Sequence, residues 1–122
     1  MTQDERDLLL KDLCGRLPYK VMAQYYDPED ECETWDEIEG IESSGHVEIG
    51  QYILPIEDIK PYLFPLSSMT EEQEREYLNT CNGYCTYYWT DETFDWLNEN
   101  HYDYRHLIER GLAIDATGLN VY

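Results

Sequence analysis

Four residues have the types and spacing to hold a metal: Cys81, Cys85, His101 and His106, in the order C-x3-C-x15-H-x4-H. Two thiolates and two imidazoles form a donor set that tetrahedral zinc favours. The intervening sequence works against the site. Residues 91–100 read as a helix and Asp103 as the cap of a further one. The histidines then fall on different elements instead of on one helix face. The basic residues of a nucleic-acid-reading finger are also missing. We therefore read two packed thiols and two partly exposed histidines, and assign neither a metal nor another cofactor.

The carboxylates carry the stronger signal. No Lys or Arg lies between Lys20 and Lys60, while Asp27, Glu29, Asp30, Glu31, Glu33, Asp36, Glu37, Glu39, Glu42, Glu48, Glu57 and Asp58 all do. Such a belt could offer a basic groove the negative charge it normally takes from a nucleic acid. The plain alternative is a solvated face that keeps the protein dispersed. Calcium is a weak third reading, because residues 27–39 lack the D-x-[DN]-x-[DN]-G order and the glutamate at the twelfth position.

Catalytic patterns are thin. Paired acids are too numerous here to be informative, and His46, His101 and His106 have no nucleophile motif beside them. No glycine-rich phosphate loop occurs. Cys14 sits near Arg16 at a helix end, where a packed small residue is the simpler reading. The aromatic run Tyr84, Tyr87, Tyr88 and Trp89, with Trp96, Tyr102 and Tyr104, reads first as a core seam and second as an interface. Tyr87, Trp89 and Trp96 are its candidate contact residues.

These side chains need elements to position them. Thr2 and Glu5 form a capping box for a helix over 2–15, with Leu9, Leu10, Leu13 and Leu17 as its apolar stripe, Gly15 as a left-handed stop and Pro18 beyond. Strand patterns follow at 19–26 and 34–41, then a hairpin around Gly50 spanning 46–54. Residues 56–66 are apolar, but Pro61 and Pro65 argue for an extended edge connection instead of a central strand. Thr70 and Gln73 open a second helix that ends near Asn82-Gly83, 84–89 read as an aromatic strand, and Thr90 caps a helix through Asn100 that buries Phe94 and Leu97. A last short helix is expected over 104–110, closed by Gly111.

The 122 residues fit a single α+β domain: an N-terminal helix over 1–17, a small curved antiparallel, open-barrel-like sheet over 18–69, and a mainly helical part over 70–122. Twenty-seven acids against eight Lys and Arg give a formal charge of −19. That balance opposes direct contact with nucleic acid or anionic membranes and favours a basic protein as partner. The charged segment Met1–Asp7 and the short Leu8-Leu9-Leu10 run do not form a signal or spanning segment, which points to a cytoplasmic protein with reduced cysteines.

Three blocks carry a resemblance. They are Asp12-Leu13-Cys14-Gly15-Arg16-Leu17-Pro18-Tyr19, Ile59-Lys60-Pro61-Tyr62-Leu63-Phe64-Pro65-Leu66-Ser67-Ser68-Met69-Thr70-Glu71-Glu72, and Asp95-Trp96-Leu97-Asn98 with residues 101–113. Together they resemble a family of small proteins from gut Bacteroidetes, their prophages and mobile elements. Residues 27–51 lie outside the match, and His106 stands where the family pattern has glycine. The resemblance implies a bacterial or phage setting and assigns no activity. By analogy with other small acidic phage proteins, the expected function is a non-enzymatic interaction module. It would mimic nucleic acid and block a host or defence DNA- or RNA-binding protein, in the anti-CRISPR or anti-restriction manner. The alternatives are a structural or assembly module using an aromatic surface and, behind it, a small zinc protein.

Overall fold

A computed structural model describes residues 1–81 and 89–122. Helix α1 spans Gln3–Arg16, and both halves of its capping box form, Thr2 accepting from the Glu5 N–H and Glu5 from the Thr2 N–H. Gly15 lies inside the helix. The helix ends at Arg16, and its cap residue Leu17 keeps right-handed dihedrals immediately before Pro18.

The strands are β1 (Met22–Asp27), β2 (Cys32–Ile41), β3 (His46–Ile49), β4 (Tyr52–Pro55) and β5 (Ile59–Pro65), followed by the two-residue β6 (Tyr102–Asp103) and β7 (Ile114–Asp115). The first five run antiparallel in the spatial order β4-β3-β2-β1-β5. The sheet curls strongly: the Tyr52 hydroxyl on β4 reaches the Asp27 carboxylate at the end of β1, 3.0 Å away. It remains open, so the expected α+β fold with a curved, open-barrel-like sheet and an N-terminal helix is correct. The sheet is mixed, however, because β6 and β7 join β5 in parallel.

The β3–β4 turn places Gly50 and Gln51 at φ 56° and 72°, the left-handed pair of a tight hairpin. A side chain on Gly50 would also overlap the Tyr25 hydroxyl. Gly50 is thus fixed by both its backbone and its neighbour.

β5 corrects the expectation of an edge connection, since it pairs with β1, β6 and β7. The Ile38 N–H donates to the Val21 carbonyl, which makes the odd residues of β1 face β2 and the even ones face β5. Gln24 and Lys60 therefore exchange hydrogen bonds, while the Ala23–Pro61 pair does not. The Pro61 nitrogen points to the other side of β5, where parallel pairing begins only at Tyr62. A proline costs this strand no ladder bond.

The main core lies on the concave face, where Leu9 and Leu13 of α1 meet Val21, Ala23, Tyr25, Ile38, Val47, Ile49, Ile59 and Leu63. Leu107, Leu112 and Ala113 close it. A smaller cluster of Met22, Tyr62, Ala116 and Val121 covers the other face of β1 and β5. Helices α2 (Glu71–Thr80) and α3 (Asp91–Glu99) carry their expected threonine caps, Thr70 and Thr90. Leu97 is buried, whereas Phe94 keeps 37% of its surface exposed while packing edge-on against Trp89 and Tyr104. The proposed end of α2 at Asn82-Gly83 and the strand over 84–88 lie outside the described residues.

Residues 104–110 are turns and not a helix. The Asp103 carboxylate does collect backbone donors, from Arg105, Leu107 and Ile108 at 3.0–3.3 Å. His106 sits at φ 59°, however, and a left-handed residue cannot continue a right-handed helix. Among the described residues no helix is long and apolar enough to cross a membrane.

Candidate functional site

The acids of residues 27–42 distribute along β2 and the turn before it. Asp27 is partly used by the fold: its Oδ1 accepts from the Glu29 and Asp30 amides and from the Tyr52 hydroxyl. Partial burial works against its charged form, but these hydrogen bonds outweigh it and its pKa falls below the usual carboxylate value. Tyr52 responds oppositely, pushed up to about 12 by burial and then by donating to Asp27. Asp27 is a turn-former first.

Glu29, Asp30, Glu31, Glu33, Asp36, Glu37, Glu39 and Glu42 are all exposed. None of them joins an ion pair among the described residues, where the pairs are Arg6–Glu57, Arg16–Asp12, Arg105–Asp12 and His106–Glu109. They do not form one patch. Glu33 and Glu37 share the outer face of β2, and Asp36 lies on the opposite face. Glu39 occupies the bulge between Ile38 and Gly40, and Glu42 follows the far end of the strand. Glu29, Asp30 and Glu31 cluster at the β1–β2 turn beside Glu33.

Between Glu33 and Glu37 stands Trp35, which the sequence reading did not select. It is 47% exposed, with Tyr26 (50%) diagonally across on β1 and Ile53 (56%) further along the same face on β4. An open groove of about 620 Å³ passes Tyr26, Glu33, Leu54, Glu57, Asp58 and Lys60. The signal for this surface was the alternation Glu33-x-Trp35-x-Glu37, which places an aromatic between two acids on one face.

The other contact candidates behave differently. Trp89 donates to the Tyr77 hydroxyl at 2.9 Å and packs edge-on against Phe94 and Tyr104. Trp96 stacks on Tyr102 with centroids 5.5 Å apart. Both are half-buried and join α2, α3 and β6, in keeping with the core-seam reading. Tyr87 and Cys85 lie outside the described residues.

The zinc arrangement gains no support. Cys81 is disulfide-bonded, which corrects the expectation of a thiol there. The His101 ring stacks on Tyr122 at 3.5 Å, and burial, then Arg16 and Lys20, lowers its pKa to about 4. His106 is exposed beside Glu109. Among the described residues no cluster of three or more His, Cys, Asp or Glu could hold a metal ion. Cys14 is exposed and not packed, and the neighbouring Arg16 guanidinium turns into the core.

Asp12 and Arg16, fully buried, form the internal charge site. Asp12 receives two hydrogen bonds from Arg16, at 2.7 and 3.1 Å, and one from Arg105 at 2.7 Å. Arg16 also donates to the Tyr102 carbonyl and lies over the Tyr104 ring. This site is structural, tying α1 to residues 102–105. Comparison with protein-family models, curated proteins and solved structures finds no match to the chain.

Proposed function

We propose that this protein is a non-enzymatic interaction module whose acidic surface occupies the basic site of a nucleic-acid-binding protein. The supporting observation is a run of exposed carboxylates from Glu29 to Glu42 with no internal cation to neutralise them. Of eight basic side chains, Arg16 is buried, Arg105 is engaged with Asp12 and Arg6 lies beside Glu57, which leaves five against twenty-seven acids, with Lys60 in the groove beside Glu33. A basic partner would release its counterions on binding such a surface, as it does on binding nucleic acid. The setting we propose is bacterial or phage, with a host or defence protein as target. Assembly through Trp89 and Trp96 has less to stand on, because those rings are spent on packing α2, α3 and β6.

The test is capture from a bacterial lysate on the immobilised protein, with elution along a salt gradient. A basic nucleic-acid-binding protein should elute in mid-gradient and be displaced by DNA or RNA. Changing Glu29, Glu31, Glu33 and Glu37 to lysine should abolish capture while leaving the circular dichroism spectrum and melting temperature near those of the parent. Asp27 is left alone because it builds the turn. Unchanged capture by that folded variant would refute the reading.

A further inference from the structure

We infer that the outer edge of β2 over Glu33–Glu37 takes an extended, Lys- or Arg-bearing strand of the partner by strand addition. The inference deepens the basic-partner reading above and rests on it for the partner's charge. It adds a mode of binding carried by the backbone.

β2 pairs with β1 along Cys32–Glu37, but its pairing with β3 begins only at Ile38. Along that first half, one side of the strand therefore has no partner among the described residues. The in-register hydrogen bond from Ile38 to Val21 sets the parity: residues 32, 34 and 36 face β1, and Glu33, Trp35 and Glu37 turn their N–H and C=O groups outward. The Glu37 N–H is already satisfied by the Asp36 carboxylate at 2.7 Å. The Glu37 carbonyl flanks the Ile38–Ile49 pair and is taken into the β3 ladder, which leaves the amides and carbonyls of Glu33 and Trp35 as an open ladder, about 10 Å long at ~3.4 Å per residue. Cys32, Glu33, Trp35, Asp36 and Glu37 are all exposed, so nothing described covers it.

An open edge invites any extended chain, and the side chains decide which one. A second copy paired antiparallel about Trp35 would set Glu33 opposite Glu37, like charge against like. An added strand with Arg or Lys at alternate positions would instead meet Glu33 and Glu37. An Arg at the centre could lay its guanidinium on the Trp35 ring, which a Lys ammonium does less well. Repulsion of copies and attraction of a basic strand come from the same two carboxylates.

The experiment uses the full chain and a synthetic ten-residue peptide alternating arginine with threonine. Its comparison peptide has the same sequence and charge, with N-methyl groups at alternate residues to remove the donors along one edge. Amide exchange followed by nuclear magnetic resonance should slow at Glu33 and Trp35 when the first peptide binds. The N-methylated peptide should bind about tenfold more weakly, the effect of losing one or two net hydrogen bonds. Glu33→Pro removes an outward N–H without touching the β1 ladder and should weaken the first peptide by a similar factor. Glu33→Gln, which removes only the charge, should weaken it less. If Glu33→Pro does not fold, the two peptides on the native chain decide alone. Equal binding of both would overturn strand addition while leaving the acidic-surface reading standing. Slowed exchange at the same amides without peptide, growing with protein concentration, would give the edge to a second copy and also overturn the inference. Binding of neither peptide would count against both.

Discussion

At the scale of single residues, Asp12 carries the heaviest electrostatic task. It compensates the buried Arg16 and holds Arg105 across the core. Asp12→Ala should cost about 3–5 kcal/mol in denaturant unfolding, because it strands a charge in a dry site. Replacing the pair together, Asp12→Leu with Arg16→Met, should cost clearly less than the single change. His101 offers a second check. Its folded pKa, near 4, lies below the ordinary histidine value of 6.5, so protons bind the unfolded chain more readily between the two. Its contribution is complete above about pH 6.5 and is lost as the pH falls toward 4. His101→Gln should flatten that part of the stability profile, measured by urea midpoints across the window. The Asp12–Arg16 spacing of four was visible in the sequence, but burial was not. In so acidic a chain, i,i+4 pairs arise easily on any helix surface, and only the packing of α1 against residues 102–105 makes this one internal.

Elements divide by how local their cause is. The helix starts at Thr2, Thr70 and Thr90 were legible because a capping box lies within four residues. Thr90 does more than cap α3, since its hydroxyl also donates to the Thr80 carbonyl at the end of α2. Thr90→Ala should therefore cost roughly 1–2 kcal/mol, above the effect of Thr2→Ala at an exposed cap, as read from thermal melts of the two variants. β5 was not legible, because whether a proline harms a strand depends on which side its nitrogen faces. That parity comes from the register with β1, set elsewhere in the chain. Residues 104–110 misled for a related reason: Asp103 has the chemistry of a cap, yet His106 turns left-handed after it. In β2 the acids fall on both faces, so alternation alone could not say which of them share a surface. The alternation puts Trp35 on one face with Glu33 and Glu37, but that this face is the outer one follows only from the partners of β2.

For the whole molecule, charge and fold pull in opposite directions. With a net charge of −19, the folded state carries a self-repulsion that salt screens. The melting temperature should therefore rise between about 10 mM and about 0.5 M sodium chloride, where the Debye length shrinks severalfold, while the proposed binding to a basic partner weakens over the same range. Opposite responses in one titration would separate the energetics of folding from those of recognition. A melting temperature that falls with salt would mean that the carboxylates are neutralised within the fold.

The buried Asp12–Arg16 pair also orders events on the ribosome. Arg16 waits for the carbonyl of Tyr102, 86 residues later, and Asp12 for Arg105, 93 residues later. A nascent chain that has made α1 and the first five strands already holds most of its concave core, yet the charges at the end of α1 still lack half their partners. Until synthesis passes Arg105, α1 can dock only by burying those groups incompletely satisfied, or else stay undocked with its end in water. Translation thus delivers most of the concave apolar core before the carbonyl and guanidinium that complete its buried charge site.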